Sequence, residues 1–276
     1  MLRFFVFTAV LFAATLPARA GIERLFAPGA NLENEIWLEH RPGSTVRVDH
    51  TPWDQVLAAH VETGSDGINR FDYAAVSPSE RAALGAYLTA LQGVDPTTLD
   101  RDEQLAFWIN LYNAQTVATI LAHYPVGSIR EIGSGLFSSG PWDAQAVTVL
   151  GRELSLNDIE HGIVRPVYRE PRIHYALNCA ALGCPNLGAR AYRGASLEIA
   201  LTTAEAAYVN NPRGVRLDGG RLVLSSINNW FREDFGASEA DVLDRLRTVA
   251  SGPAAAALKG RTEVDAYAYD WRLNAP

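Results

Sequence analysis

Apolar residues recur every three to four positions over most of this chain and alternate over only a few short stretches, which predicts helices with a minor strand content. HTPWDQVLAAHV predicts a helix with Thr51 as its cap and Pro52 at the first helical position. SPSERAALGAYLTAL repeats the device, with Ser77 as cap, Pro78 first and Glu80 closing a capping box. GINRFDYAAV, between them, reads as extended. The longest helix is expected from about Asp100 to His123, with Asp100 and Glu103 at cap spacing and Pro125 after its end. Leu105, Phe107, Trp108, Ile109, Leu111, Tyr112, Val117, Ile120 and Leu121 surround it on nearly every side, so it should lie at the centre of the core.

SLNDIEHGIVRP, at 155–166, predicts a short helix that closes before Pro166, with Ser155 and Asp158 at capping-box spacing and His161 partly away from the apolar side. In IHYALNC, Ile173, Tyr175, Leu177 and Cys179 alternate with His174, Ala176 and Asn178. That pattern predicts a strand leaving through a tight turn, with His174 and Cys179 on opposite faces. VRLDGGRLVLS reads as a hairpin, Ser238–Leu246 and Ala254–Lys259 as helices, and VDAYAYDWRLN as a terminal strand. The Gly/Ser-rich run at 133–141 reads as a surface loop. The expected class is α+β, mostly helical with a small antiparallel sheet.

The first twenty residues change the picture of where the chain works. MLRFFVFTAVLFAATLPARA has one early positive charge, an apolar run from Phe4 to Leu16, Pro17 and a small-x-small ending, the layout of a secretory signal peptide cleaved near Ala20. The domain organisation expected is a signal peptide at 1–20, an irregular entry segment at 21–50 and a single α+β domain at 51–276. Formal net charge is −7; removing residues 1–20 takes away Arg3 and Arg19 and brings it to −9. An acidic chain with no long Lys/Arg cluster is a poor match for nucleic acid or anionic lipid. No membrane span is expected after signal removal, and the location expected is periplasmic or secreted.

Cys179 and Cys184 are the only cysteines, and three readings of them stand. As a disulfide they fit an exported chain with an even cysteine count. As metal ligands with His161 and His174 they lack a clear ligand cluster, and neither metal nor cofactor is expected. As chemistry, Cys179 ends a strand before a Gly-bearing turn, with imidazoles and polar groups nearby in sequence. Glu103, Asn110 and Asn113 fall on nearly one face of the central helix, and buried amides need partners. Those partners are either the backbone of a neighbouring loop or a polar site. His161 equally reads as a capped helix histidine, and His174 as a packed strand residue.

The blocks AFWINLYNAQTV, LNDIEHGIVRP, PRIHYALNCAALGCPNLGARAY, SSINNWFREDFG and YDWRLN together resemble the family catalogued as domain of unknown function 547, over about Trp53 to Asn274. The resemblance implies an α+β domain common in exported bacterial proteins and also found in plants. The first cysteine, the helical Glu-His pair and the FWIN-YN block define its pattern. In the plant branch the second cysteine is replaced, which weights Cys179 toward a thiol role. A likeness to papain- or transglutaminase-like hydrolases is a fold-level analogy.

The function expected is a thiol-dependent hydrolase or transferase acting on an amide or thioester. Cys179 is its nucleophile, His161 its base, Asn113 or Glu103 the orienter, and Asn110 a support for the turn or a donor to the oxyanion. Cys184, His174 and Asn178 would support the site or, for Cys184, close a disulfide. The alternative is a non-catalytic periplasmic binding or scaffold domain locked by a Cys179–Cys184 bond. Its ligand, a small molecule or peptide, would sit among the 6 Trp, 10 Tyr and 10 Phe.

Overall fold

The computed structural model describes residues 27–133 and 140–276, so the signal-peptide expectation and residues 134–139 of the Gly/Ser-rich loop lie outside the described residues. Helix α1 (Thr51–His60) begins at Thr51 rather than after it, and His50 holds the cap position without a capping bond. Thr51 is thereby the first helical residue rather than the cap, and its N–H donates to Asp49 Oδ1 at 2.9 Å. After it, β1 (Val61–Thr63) and β2 (Asn69–Phe71) form an antiparallel pair in the stretch read as extended.

Helix α2 (Pro78–Gln92) carries the expected capping box. Ser77 Oγ accepts from the Glu80 N–H, and the Glu80 carboxylate accepts from the Ser77 N–H. Replacing Ser77 with Ala removes the partner of an orphan helix N–H. Ser77→Ala should lower stability by about 1 kcal/mol, read as a lower urea midpoint with an unchanged slope.

Helix α3 (Arg101–His123) is the centre of the fold, with Phe107, Trp108, Ile109 and Leu111 fully buried. Asp100 caps it as predicted, by accepting from Asp102 N–H. Glu103 does not complete a capping box, because its carboxylate is drawn off to other segments. Trp37, from the short 3-10 turn Glu35–Leu38, packs edge-on against Trp108 at 5.4 Å and ties the entry segment to the core.

Beyond α3, β3 (Val147–Val149) and β4 (Arg152–Leu154) make a second antiparallel pair. The segment predicted to be helical at 155–166 is a π-turn, Asp158–Val164, running straight into α4 (Arg165–Tyr168). It does not stop before Pro166. The Arg165 N–H reaches back to Glu160 O, and this widened winding carries the chain into α4 with Pro166 in its first turn, where no N–H is required.

The strand predicted at 173–179 does not form. Pro171–Tyr175 is a 3-10 turn, and the chain then runs irregularly to the disulfide. Its backbone is satisfied by a side chain in place of a neighbouring strand: Asn113 Nδ2 donates to Ala176 O at 2.9 Å, and Asn113 Oδ1 accepts from Asn178 N–H at 2.8 Å. The alternation of apolar residues reflects burial on both sides. Ile173, Leu177 and Leu187 join the cluster around α3, while Tyr175 joins a second cluster farther along the chain.

That second cluster is built by α5 (Leu197–Val209), β5 (Val215–Asp218), β6 (Arg221–Ser225), the short helices α6 (Ile227–Trp230) and α7 (Arg232–Phe235), α8 (Glu239–Val249) and α9 (Gly252–Leu258). The β5–β6 hairpin turns through Gly219 and Gly220, at φ 56° and 82°, backbone angles that a side chain would strain. The terminal strand β7 (Ala266–Ala268) pairs with β6 in parallel, so this three-stranded sheet is mixed and the other two are antiparallel. The class is α+β as expected. Among the described residues no helix is long and apolar enough to cross a membrane.

Candidate functional site

A cavity of about 730 Å³ opens where the two clusters meet. The π-turn supplies Glu160 and His161, the 3-10 turn supplies His174, and the irregular segment supplies Cys179 and Cys184. Half-buried aromatic rings wall it: Trp142 from the side of the α3 cluster, and Trp230, Phe231 and Tyr269 from the second. Trp230, Tyr269 and Trp271 touch one another, with ring centroids 4.6 to 5.6 Å apart.

His174 is the best-held polar group of the floor. Its Nε2 lies 2.6 Å from Asp234 Oδ2, so an ionised Asp234 fixes the ring proton on Nε2 and leaves the Nδ1 lone pair toward Glu160, 3.8 Å away. Phe231 stacks flat on the ring at 4.4 Å. Burial pulls the His174 pKa down, against the pull of Asp234 and Glu160, and favours the neutral ring. Asp234, half-buried, is held down at about 2 despite its burial by the bonds from His174 and Arg165. Glu160 is mostly buried and its carboxyl is pushed up by that burial, while Tyr112 hydrogen-bonds to it.

His161 is arranged differently. Arg165 Nη1 donates to its Nδ1 at 3.1 Å, which puts the proton of the neutral ring on Nε2. Burial, reinforced by the Arg165 charge, drives its pKa down to about 3. A ring so placed is a hydrogen-bond donor at neutral pH and a poor proton acceptor. Arg165 is itself enclosed, with Nε on Asp234 at 2.6 Å, Nη2 on Glu233 at 3.1 Å, Nη1 on Pro28 O at 2.6 Å and its plane over Phe231. The segment from Ala27 to Glu33 straps one edge of the cavity, with Asn31 N–H donating to His161 O at 3.0 Å.

Cys179 and Cys184 form a disulfide. Its two sulfurs differ in surroundings: Cys184 is 1% exposed and Cys179 half-buried. Cys184 Sγ accepts from the Cys179 N–H at 2.9 Å and from the Tyr269 hydroxyl at 3.0 Å, and that hydroxyl also lies 3.0 Å from Cys179 Sγ. Burial keeps Tyr269 protonated by raising its pKa well above the ordinary phenol value. Gly183, between the cysteines, abuts Asp270, where a Cβ would come within 2.7 Å of the backbone nitrogen.

The structure thus brings together Cys179, Cys184, His161 and His174, and it puts His174 and Cys179 on one cavity, contrary to the opposite faces of the predicted strand. The three residues of the α3 face hold backbone. Glu103 accepts from Val48 N–H at 2.9 Å and Gly194 N–H at 3.0 Å. Asn110 pairs with both backbone groups of Tyr192 and meets His50, and Asn113 grips the chain at Ala176 and Asn178. Asn178 in turn donates to Pro185 O at 2.7 Å and accepts from Ala180 N–H at 2.9 Å, closing the disulfide loop on itself. With the sulfurs bonded to each other, the metal reading has no thiolates. Among the described residues no group of three or more His, Cys, Asp or Glu is placed to hold a metal ion.

Arg165, Phe231, Asp234 and Tyr269 were not singled out from the sequence, and Glu160 entered only as part of the Glu-His pair of the family pattern. They lie inside blocks quoted for the family resemblance, and a polar or aromatic residue inside such a block was the available signal.

Residues 96–209 match the family described as "Protein of unknown function, DUF547". That span carries α3, the π-turn and both cysteines, while Asp234, Tyr269 and the aromatic wall between Trp230 and Trp271 lie past it. No curated protein and no solved structure matches the chain.

Proposed function

We propose that this chain, a member of the DUF547 family through residues 96–209, is an exported thiol-dependent hydrolase or transferase acting on an amide or thioester, with Cys179 as nucleophile once its disulfide is reduced. The observation that carries the reading is the sharing of one cavity by Cys179 and an aspartate-held imidazole. It shifts the base from His161 to His174. A neutral His174, its Nε2–H fixed by Asp234, accepts the thiol proton on Nδ1, and the Cys179 thiolate attacks the carbonyl carbon. The imidazolium then returns that proton to the departing amine or thiol, leaving an acyl group on Cys179 for water or an acceptor to remove. His161, with its proton on Nε2 and Arg165 behind it, suits a donor to the developing oxyanion. Asn113 acts indirectly, by fixing the segment that carries Cys179.

The reduced protein, incubated with an activated acyl ester, should gain an acyl group on Cys179 by intact and fragment mass. His174→Gln should slow its formation by about a hundred-fold or more, the usual worth of a general base. A reduced, folded protein that acquires no acyl group on Cys179 sinks the enzyme reading. The second reading then stands, a binding domain in which the disulfide staples an aromatic ligand cavity. It is favoured by the five half-buried rings on that wall, because contiguous accessible aromatic surface marks a ligand site.

A further inference from the structure

We infer that Cys179–Cys184 is an exchangeable switch that a dithiol reductant opens in the folded protein, with Cys184 as the leaving sulfur and Tyr269 as its donor. Its meaning as a regulator rests on the reading of Cys179 as the nucleophile of this cavity. The inference itself rests on the asymmetry of the two sulfurs. Cys179 is the half-buried one on the cavity, so an incoming thiolate meets it first. Cys184 is enclosed and receives the Cys179 N–H at 2.9 Å, and the Tyr269 hydroxyl, 3.0 Å from either sulfur, is in place to donate to it as it leaves. Donors aimed at a sulfur stabilise its thiolate, and a better-stabilised thiolate leaves faster in exchange. A disulfide serving only as a staple has no need of a phenol donor spanning both sulfurs.

The exchange balances as follows. One thiolate of the dithiol attacks Cys179 Sγ and forms a mixed disulfide, the Cys179–Cys184 bond breaks, and Cys184 departs as a thiolate under the two donors. The second thiolate of the reductant attacks its own sulfur in the mixed disulfide and releases Cys179 as a thiolate. The reductant closes into its cyclic disulfide, and two electrons have passed to the protein. Cys179 is then free in the cavity that His174 and His161 also line, and reoxidation closes the site.

Three measurements on the full chain test this, none of them using acyl transfer. First, the oxidised native protein is treated with reduced glutathione, quenched in acid and fragmented. Glutathione should be found on Cys179; finding it on Cys184 overturns the assignment. Second, dithiothreitol should reduce the bond without unfolding, and Tyr269→Phe should slow that step by about ten-fold, as expected for loss of a hydrogen bond to a charged group. A bond that is reduced only when the protein unfolds, or at the same rate in Tyr269→Phe, overturns the proposal. Third, in Cys179→Ser the Cys184 thiolate absorbance should titrate below the ordinary thiol value of about 8.5, and adding Tyr269→Phe should move it up by about one unit. A purely structural tyrosine would leave that titration unmoved. Cys184→Ser frees Cys179 without reductant and separates the two claims. Exchange without acylation ends the enzyme reading alone, and acylation of Cys184→Ser in a protein whose native disulfide resists exchange ends the switch alone.

Discussion

The protein should lose stability steeply as pH falls from about 6.5 toward 4, before its carboxylates titrate in bulk. The cause is a set of histidines enclosed as neutral rings. Burial lowers His50 to about 4, its ring held between the Tyr87 hydroxyl at 2.6 Å and the Asn110 amide at 3.2 Å. Burial and Arg165 take His161 to about 3. In the unfolded chain both titrate near 6.5. A base depressed by folding binds fewer protons in the folded chain, so its contribution is whole above pH 6.5 and drains away as the pH falls to the folded value. Each ring costs about 1.4 kcal/mol per pH unit in that window, so the pair approaches about 3 kcal/mol per unit.

His174 is shifted in the same direction, and Asp234, lowered to about 2, adds a further loss once the pH is below its ordinary value of 3.8. Glu160 works against the trend. Its carboxyl is raised, so the folded chain holds that proton more tightly and acidification relieves a penalty present at neutral pH. Urea midpoints at half-unit steps from pH 7.5 to 4 measure the balance. Against a total stability of about 5–15 kcal/mol, the combined loss should lower the midpoint by a large fraction before pH 4. A flat profile between pH 6.5 and 4.5 would mean that the rings are not held neutral.

Arg165→Ala should be the most damaging single substitution at the cavity. The guanidinium is fully enclosed, and it joins the π-turn, the Ala27–Glu33 strap and α7 through His161, Pro28, Glu233 and Asp234. Removing it leaves Asp234 with one partner in place of two and takes a planar cation off Phe231. Deleting one member of an enclosed ion pair costs about 3 kcal/mol or more, equivalent to a fall of about 6–12 °C in the melting temperature of a chain this size. Arg165→Lys should recover little, because an ammonium cannot fork to several oxygens at once. The same substitution removes the charge that helps depress His161. The His161 ring should therefore titrate higher in Arg165→Ala than in the parent, by proton NMR, while burial still holds it below 6.5. A variant as stable as the parent, with His161 unmoved, would show that Arg165 is not the hub the distances describe.

Residue pattern alone was enough to find α2, with Ser77 and Glu80 as its capping box, and α3, with apolar residues on every side, because caps and periodicity act within a few residues. The β5–β6 hairpin was legible for the same reason, in Asp218-Gly219-Gly220. The DUF547 resemblance was legible as blocks, and Cys179, Cys184, His161 and His174 all lie within them. Their relations were not legible. Whether 173–179 is a strand depends on a neighbour to pair with, and Asn113 from α3 took that part, sixty-odd residues earlier in the chain. Asp234 reaches His174 from α7, and Tyr269 reaches the sulfurs from beyond β7. A histidine's proton sits where its partners put it: Arg165 makes His161 a donor, and Asp234 leaves His174 able to accept. The sequence determined the local elements and the kinds of side chain available for chemistry. Only tertiary packing decided which imidazole faces a carboxylate and that a phenol reaches both sulfurs, because those choices rest on contacts between segments far apart in the chain.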